Sequence, residues 1–380
     1  MILVAGPVGE VPTPGPAPET VATLPRAVRA ALAVGSDWLG TWWPTAVLVG
    51  VALALVAVLV VRSVPRRDGA RRGRRWPAAV AAVVCAVAAA GFGVNTAVGY
   101  VPNTSAAWLL LTGDHTVARA GTGALSPRTL TAPAALLMPA STTWVYTPPG
   151  YDPAAAVRYP VVYLIHGTPG QSSDWGTGGD IAHVMDVLIA EAMVRPMIVV
   201  MPDVNGSGQD DTECLNSSRG GSQVESYLND VVVPWVDASY ATLADFSHRV
   251  IGGMSSGGFC ALDQGLRHPE LYGSILALEP YGDPGAGGQA MLATPAEIAA
   301  HSPSHYLPTM AFAHPVPVFL DVGGLGGGGT GSEVAPLAAA LLSRGQDVLF
   351  RSEAGQTHSW TMARTGIPYG LVFASSHMPA

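Results

Sequence analysis

Lysine is absent from this chain of 380 residues: all 19 basic residues are arginine, set against 27 acidic ones, for a net charge of −8. That balance leaves no basic surface for nucleic acid, so no nucleic-acid partner is expected. Charge of either sign is scarce, at 12% of residues, and the mean hydropathy of +0.32 is high for a soluble protein, which points to membrane segments. Cysteine is scarce as well, and three cysteines cannot build a disulfide framework. Cys85 falls in an apolar run, which leaves Cys214 and Cys260 as two buried thiols or as one bridge. A bridge requires a domain that faces an oxidising compartment.

Two uncharged apolar runs are present in their place. Residues 45–61 and 77–98 are each long enough to cross a bilayer core of about 30 Å. The loop between them, residues 62–76, carries seven arginines: Arg62, Arg66, Arg67, Arg71, Arg72, Arg74 and Arg75. A short arginine-dense loop between spans stays in the cytoplasm, and Trp42, Trp43, Trp76 and Tyr100 stand where interfacial aromatics belong. The expectation is a two-span membrane protein. Its Pro-rich tail (1–44) and everything after Tyr100 then face outward. The first span begins too far along the chain, behind a Pro-rich stretch, for a signal peptide. Residues 99–140 read as a connecting segment and 141–380 as the globular domain.

From residue 141 strand-like and helix-like segments alternate. RYPVVYLIHG (158–167), PMIVVMPD (196–203), HRVIGG (248–253), GSILALEP (273–280), VPVFLDVGG (316–324) and DVLFRSE (347–353) suit buried strands. DIAHVMDVLIAEAMV (180–194), VESYLNDVVVPWVDASY (224–240, with a proline kink) and SEVAPLAAALLSRG (332–345) suit helices, the last with Ser332 as N-cap and Gly345 past its end. Such alternation predicts an α/β domain: a mostly parallel sheet with helices on both faces and ligands at the carboxyl ends of its strands.

GGMSSGGFCALDQG (252–265) places Ser255 between glycines, in the pattern G-x-S-x-G. The pattern alone is weak in a chain with 45 glycines. Here a short strand precedes it and a helix follows it, which is the context a nucleophile elbow requires. The positive end of that helix favours the negative charge that develops at an attacking serine. A serine also needs a base, and GQTHSW (355–360) places His358 in a loop after the last strand. His301 and His305 stand in a Pro-broken loop without other evident ligands, so no metal is expected. DVNGSGQDDTEC (203–214) reads as a solvated loop at the pocket rim, since it lacks the spacing of a calcium loop.

TPPGYDPAAAVRYPVVYLIHGTPGQSSDW, then GGMSSGG, then GQTHSW, resemble in content and order the esterase family that includes esterase D, feruloyl and acetyl-xylan esterases and mycolyltransferases. The resemblance covers residues 141–365 and implies an α/β-hydrolase fold, here preceded by the two-helix hairpin. It implies Ser255 as nucleophile, His358 as general base, and an oxyanion hole from the backbone N–H groups of Thr168 and Ser256. His166 is expected to be a structural turn residue.

The acid departs from the family's pattern. Many members carry an Asp in G-x-x-D after the strand written here VFLDVGG, and that place is Gly326 in this chain. Three carboxylates remain: Asp321 in the strand, Glu333 at the start of the next helix, and Glu279 at the end of ILALEP. Some α/β-hydrolases place the acid after this earlier strand in a Leu-Asp-Pro context, so Glu279 is taken as the acid, whose task is to hold the His tautomer and stabilise the imidazolium. The expected protein is a membrane-anchored, extracytoplasmic serine esterase acting on a lipid or envelope ester, without a cofactor. An envelope acyltransferase with the same triad, or a degenerate hydrolase serving as a scaffold, are the alternatives.

Overall fold

The computed structural model describes residues 24–33, 35, 37–63, 76–112, 121–207, 211–324 and 331–379. The tail up to residue 23, six of the seven loop arginines, His115 and the position of Gly326 lie outside the described residues.

Eight strands form one sheet: β1 (Ala124–Leu130), β2 (Ser141–Thr147), β3 (Val161–Ile165), β4 (Ile198–Met201), β5 (Arg249–Met254), β6 (Ser274–Leu278), β7 (Val318–Gly323) and β8 (Val348–Glu353). Their order is β1-β2-β4-β3-β5-β6-β7-β8. The six strands β3 to β8 run parallel, and β1 and β2 form an antiparallel edge. The parallel strands are apolar on both faces because each face is covered. In β3, Val161, Tyr163 and Ile165 pack with the helices Ser256–Arg267 and Gly331–Ser343, whereas Val162 and Leu164 pack with Ile181–Ala190 and Trp360–His377. This two-residue alternation is the pleat itself. The result is the expected α/β-hydrolase fold.

Several local expectations are corrected. Strand β1 lies within the segment read as a connector, and it pairs along its whole length with β2, so the sheet begins before residue 141. Its sequence, ALSPRTL, gave no strand signal because it is an edge strand with mostly exposed side chains and a proline. The helix Trp360–His377 was also not anticipated. Gly366, Gly370 and Pro368 hide its period, yet the glycines let it press onto Asp321 and Phe319 of β7. Residues 224–239 are helical, and instead of a sharp kink a wide π-helical stretch, Tyr227–Val232, leads into Pro234. The Gly331–Ser343 helix already includes Ser332, which therefore stands inside its first turn and not at its cap.

Two helices, Trp43–Ser63 and Trp76–Val98, precede the sheet and are long and apolar enough to cross a membrane. They pack on each other while Leu53 and Val87 remain 64% and 67% exposed. At their far end Asn95 donates to the carbonyls of Leu39 (3.3 Å) and Val101 (2.9 Å), closing the exit turn. Arg364 then donates to the carbonyl of Gly99 (2.7 Å), joining that turn to the Trp360–His377 helix.

Candidate active site

Strand β5 ends at Met254 and the next helix begins at Ser256, so Ser255 alone makes the turn, at φ 61° and ψ −122°. A non-glycine residue in that region is strained and persists only where its surroundings impose it. Here the Ser255 N–H donates to the carbonyl of Leu278 (3.0 Å), tying the turn to the end of β6. The flanking glycines are steric requirements. A Cβ on Gly253 would strike the carbonyl of Gly257, and one on Gly257 would strike those of Ile165 and His166.

The loop after β3 lies against this turn. A Cβ built on Gly167 would stand 3.3 Å from the Cβ of Ser255. The Ser256 hydroxyl donates to the Thr168 hydroxyl (3.0 Å), linking the two residues expected to form the oxyanion hole. His166 is buried; its Nε2 accepts from the Val204 N–H (3.1 Å), which leaves Nδ1 to donate to the carbonyl of Gly167 (2.9 Å). Asp174 accepts from the Gln171 N–H (2.9 Å) and from the hydroxyl of Tyr100 (2.8 Å), a residue that follows the second apolar helix. The Tyr100 ring also meets Trp360 edge-on at 6.2 Å. The exit of the hairpin thus touches both the loop carrying Thr168 and the helix that follows His358.

Among the three carboxylates considered as the acid, Glu279 comes within 3.6 Å of His358, from Oε2 to Nδ1. The Glu279 side chain is 3% exposed and that of His358 30% exposed. Oε1 of Glu279 accepts from the Gly323 N–H (2.6 Å), and its own N–H donates to the carbonyl of Asp321 (2.8 Å), so backbone at the end of β7 holds it. Asp321 points the other way. Its Oδ2 sits against Gly366 of the Trp360–His377 helix, and neither oxygen has a hydrogen-bond partner. Burial pushes its carboxyl well above the usual range, with the Arg351 guanidinium opposing. Glu333 stands in the first turn of the Gly331–Ser343 helix.

The 203–214 segment corrects an expectation. A solvated loop is expected there, yet Glu213 is 3% exposed and Thr212 and Cys214 are buried with it. Glu213 and Cys214 both take positive φ, 48° and 55°, which closes the loop back on the domain. Cys214 is bonded to Cys260, with the Cα atoms 5.5 Å apart, so the alternative of two free thiols is excluded. The bridge ties the segment to the helix after Ser255, next to the buried Glu213.

A sheet of this order, with a strained serine at the turn after its fifth strand and a histidine after its eighth, has the α/β-hydrolase fold. The chain belongs to the Putative esterase family, whose model matches residues 139–358. It is 34% identical over 132 residues to an endo-1,4-beta-xylanase/feruloyl esterase of Xylanibacter ruminicola, covering 34% of this chain and 18% of that one. It is 30% identical over 126 residues to an esterase of Mycobacterium tuberculosis, covering 33% of this chain and 25% of that one. The chain therefore matches only a minor part of these curated relatives' lengths. Among solved structures, a ferulic acid esterase superposes with a TM-score of 0.58 at 21% identity, over 68% of this chain and 99% of its own. An S-formylglutathione hydrolase of Agrobacterium tumefaciens gives 0.59 at 19% identity, over 69% and 98%. At such identities these likenesses speak for the fold.

Proposed function

We propose that the protein is a membrane-anchored serine esterase. Ser255 attacks the carbonyl carbon of a carboxylic ester; His358 takes the hydroxyl proton and delivers it to the leaving alcohol; water, activated by the same histidine, then releases the acid and frees Ser255. The backbone N–H groups of Thr168 and Ser256 receive the oxyanion, and Glu279 holds the imidazole and balances the imidazolium. The observation that carries this proposal is one piece of geometry. Leu278, whose carbonyl holds the Ser255 turn, is followed at once by Glu279, which reaches His358.

The two exposed apolar helices support anchoring in a bilayer, and the arginine-rich sequence between them supports a cytoplasmic loop, which puts the domain outside. The Cys214–Cys260 bond fits an oxidising compartment. A domain tethered there meets lipid and envelope esters, which are the substrates proposed. A fluorophosphonate probe applied to membranes holding the full chain tests the chemistry. Labelling is expected for the native protein and lost in Ser255→Ala and His358→Ala; labelling that survives Ser255→Ala refutes the nucleophile. A reporter fused after residue 380 that is active only in the cytoplasm refutes the topology.

A further inference from the structure

Beside the helix that follows Ser255 lies a cavity of about 720 Å³, large enough for a small organic group and used by none of the steps above. Asp211, Glu213, Tyr281, Asp283 and Glu333 line it, with Leu337 on an apolar wall, and no arginine or histidine lines it among the described residues. The cavity is joined to the catalytic elements at three points. The Tyr281 ring stacks on Phe259 of the Ser256–Arg267 helix, centroids 5.2 Å apart. Glu213 adjoins Cys214, which is bonded to Cys260 of the same helix. The Asp211 side chain interacts with that of Thr168.

Glu213 has given up nearly all of its water. Its Oε1 accepts from the Tyr281 hydroxyl (2.5 Å) and its carboxyl pairs with that of Asp211, while no cation reaches the buried Oε2 or Oδ1 of Asp211. Buried carboxylates without a cation or donor are expensive, and that cost favours a shared proton on the pair. Burial first, and then the charge of Asp211, push the Glu213 carboxyl up to about 9; Asp263 of the Ser256–Arg267 helix adds to this and the Tyr281 hydroxyl opposes it. Burial raises Asp211 as well. Asp283 satisfies its oxygens with the Gly285 N–H and the Ser302 hydroxyl. The chain, having no lysine, brings no ammonium of its own to this wall.

We propose that the cavity binds an ammonium group on the ester that Ser255 attacks, with Asp211 and Glu213 as its counter-charge. The assignment rests on Ser255 being an ester-attacking nucleophile. An ammonium in the cavity supplies the positive charge that its carboxylate lining lacks. An anion would be repelled, and a neutral polyol would leave the charge uncompensated. Among the described residues no three His, Cys, Asp or Glu side chains are grouped to hold a metal ion, which favours an organic cation.

The test compares isosteric esters on the full chain in detergent micelles. One pair is butyrylcholine and its neutral analogue 3,3-dimethylbutyl butyrate. The other is the p-nitrophenyl ester of 4-(trimethylammonio)butanoate and that of 5,5-dimethylhexanoate. The expected result is a kcat/KM for the cationic member at least about tenfold above its neutral partner in one pair, the scale of a close charge contact. That ratio should fall towards one in Glu213→Gln and in Asp211→Asn, whatever these variants do to the neutral ester. A second arm needs no variant: n-butylammonium chloride should slow fluorophosphonate labelling of Ser255 at concentrations where n-butanol and sodium chloride do not. Equal rates within both pairs, or a preference that survives both substitutions, overturn the cation site while labelling of Ser255 leaves the esterase chemistry standing. Slowing by calcium chloride but not by the ammonium overturns it in favour of a metal. Absence of labelling overturns the esterase function and this assignment with it.

Discussion

Replacing Glu279 by Gln removes one charge and almost nothing else. Gln keeps a carbonyl oxygen for the Gly323 N–H, which Oε1 now accepts at 2.6 Å, so the end of β7 stays anchored. What is lost is the anion facing His358. At 3.6 Å and an effective dielectric constant of about 20, the attraction between a carboxylate and an imidazolium is about 5 kcal/mol. The imidazolium exists only after Ser255 has given up its proton, so this energy belongs to the transition state and appears in kcat. Five kcal/mol corresponds to between about 10³- and 10⁴-fold, of the order seen when the acid of a serine triad is made neutral. Gln also offers an NH₂ towards a ring nitrogen that must itself carry a proton, which favours the wrong tautomer.

The assay is steady-state hydrolysis of p-nitrophenyl butyrate by the full chain, with thermal unfolding followed in parallel to show that the fold persists. Glu279→Gln should lower kcat by at least about 10³ with a smaller change in KM. Asp321→Asn is the matched control, since that carboxyl lies beneath the Trp360–His377 helix, and its kcat should stay within a few-fold of native. A Glu279→Gln enzyme with near-native kcat, alongside Asp321→Asn or Glu333→Gln enzymes that are inactive, refutes the placement of the acid.

Two further outcomes follow from contacts at the edges of the site. Tyr100→Phe keeps the ring against Trp360 but withdraws the hydroxyl from Asp174, a bond to a charged group worth about 1.5–3 kcal/mol. If the hairpin steadies the loop that carries Thr168, the rate of Ser255 labelling and kcat fall by about tenfold or more with KM little changed, and unchanged labelling refutes that coupling. Cys214→Ser with Cys260→Ser opens a cross-link spanning 46 residues, for which chain entropy gives a loss of about 4 kcal/mol, read as a lower denaturation midpoint; an unaltered midpoint refutes a stabilising bond.

The parallel strands were legible because they are buried on both faces, and VVYLI and IVVM show that burial as uninterrupted apolar runs. The antiparallel edge was not legible. β1 has one buried side chain near each end and a proline at its centre, a pattern that only its pairing with β2 makes a strand. The same holds for Trp360–His377, whose glycines and proline argue against a helix in isolation and whose tight fit under β7 appears only in three dimensions. Local sequence signals carry what local physics decides, and both of these elements are decided by their neighbours.

The site divides along the same line. Ser255 could be found from sequence because its strain demands glycines at fixed positions, and steric demands leave a local pattern. An acid leaves none: any carboxylate that reaches the histidine from a neighbouring strand end will serve, and the sheet order decides which can. Here β6 lies between β5 and β7, so its end is tied to the serine turn through Leu278 and to β7 through Gly323. A carboxylate one residue past Leu278 can therefore take the place that G-x-x-D fills in relatives. The inward turn of Asp211 and Glu213 was hidden for the converse reason. Charge beside glycine usually means a solvated loop, and here a disulfide and two residues at positive φ override that preference. Buried carboxylates and two residues at positive φ, held by a covalent bond against the helix after Ser255, are costly features for a loop that merely caps a domain. Their position beside the Thr168 loop is what a binding function for that wall would require.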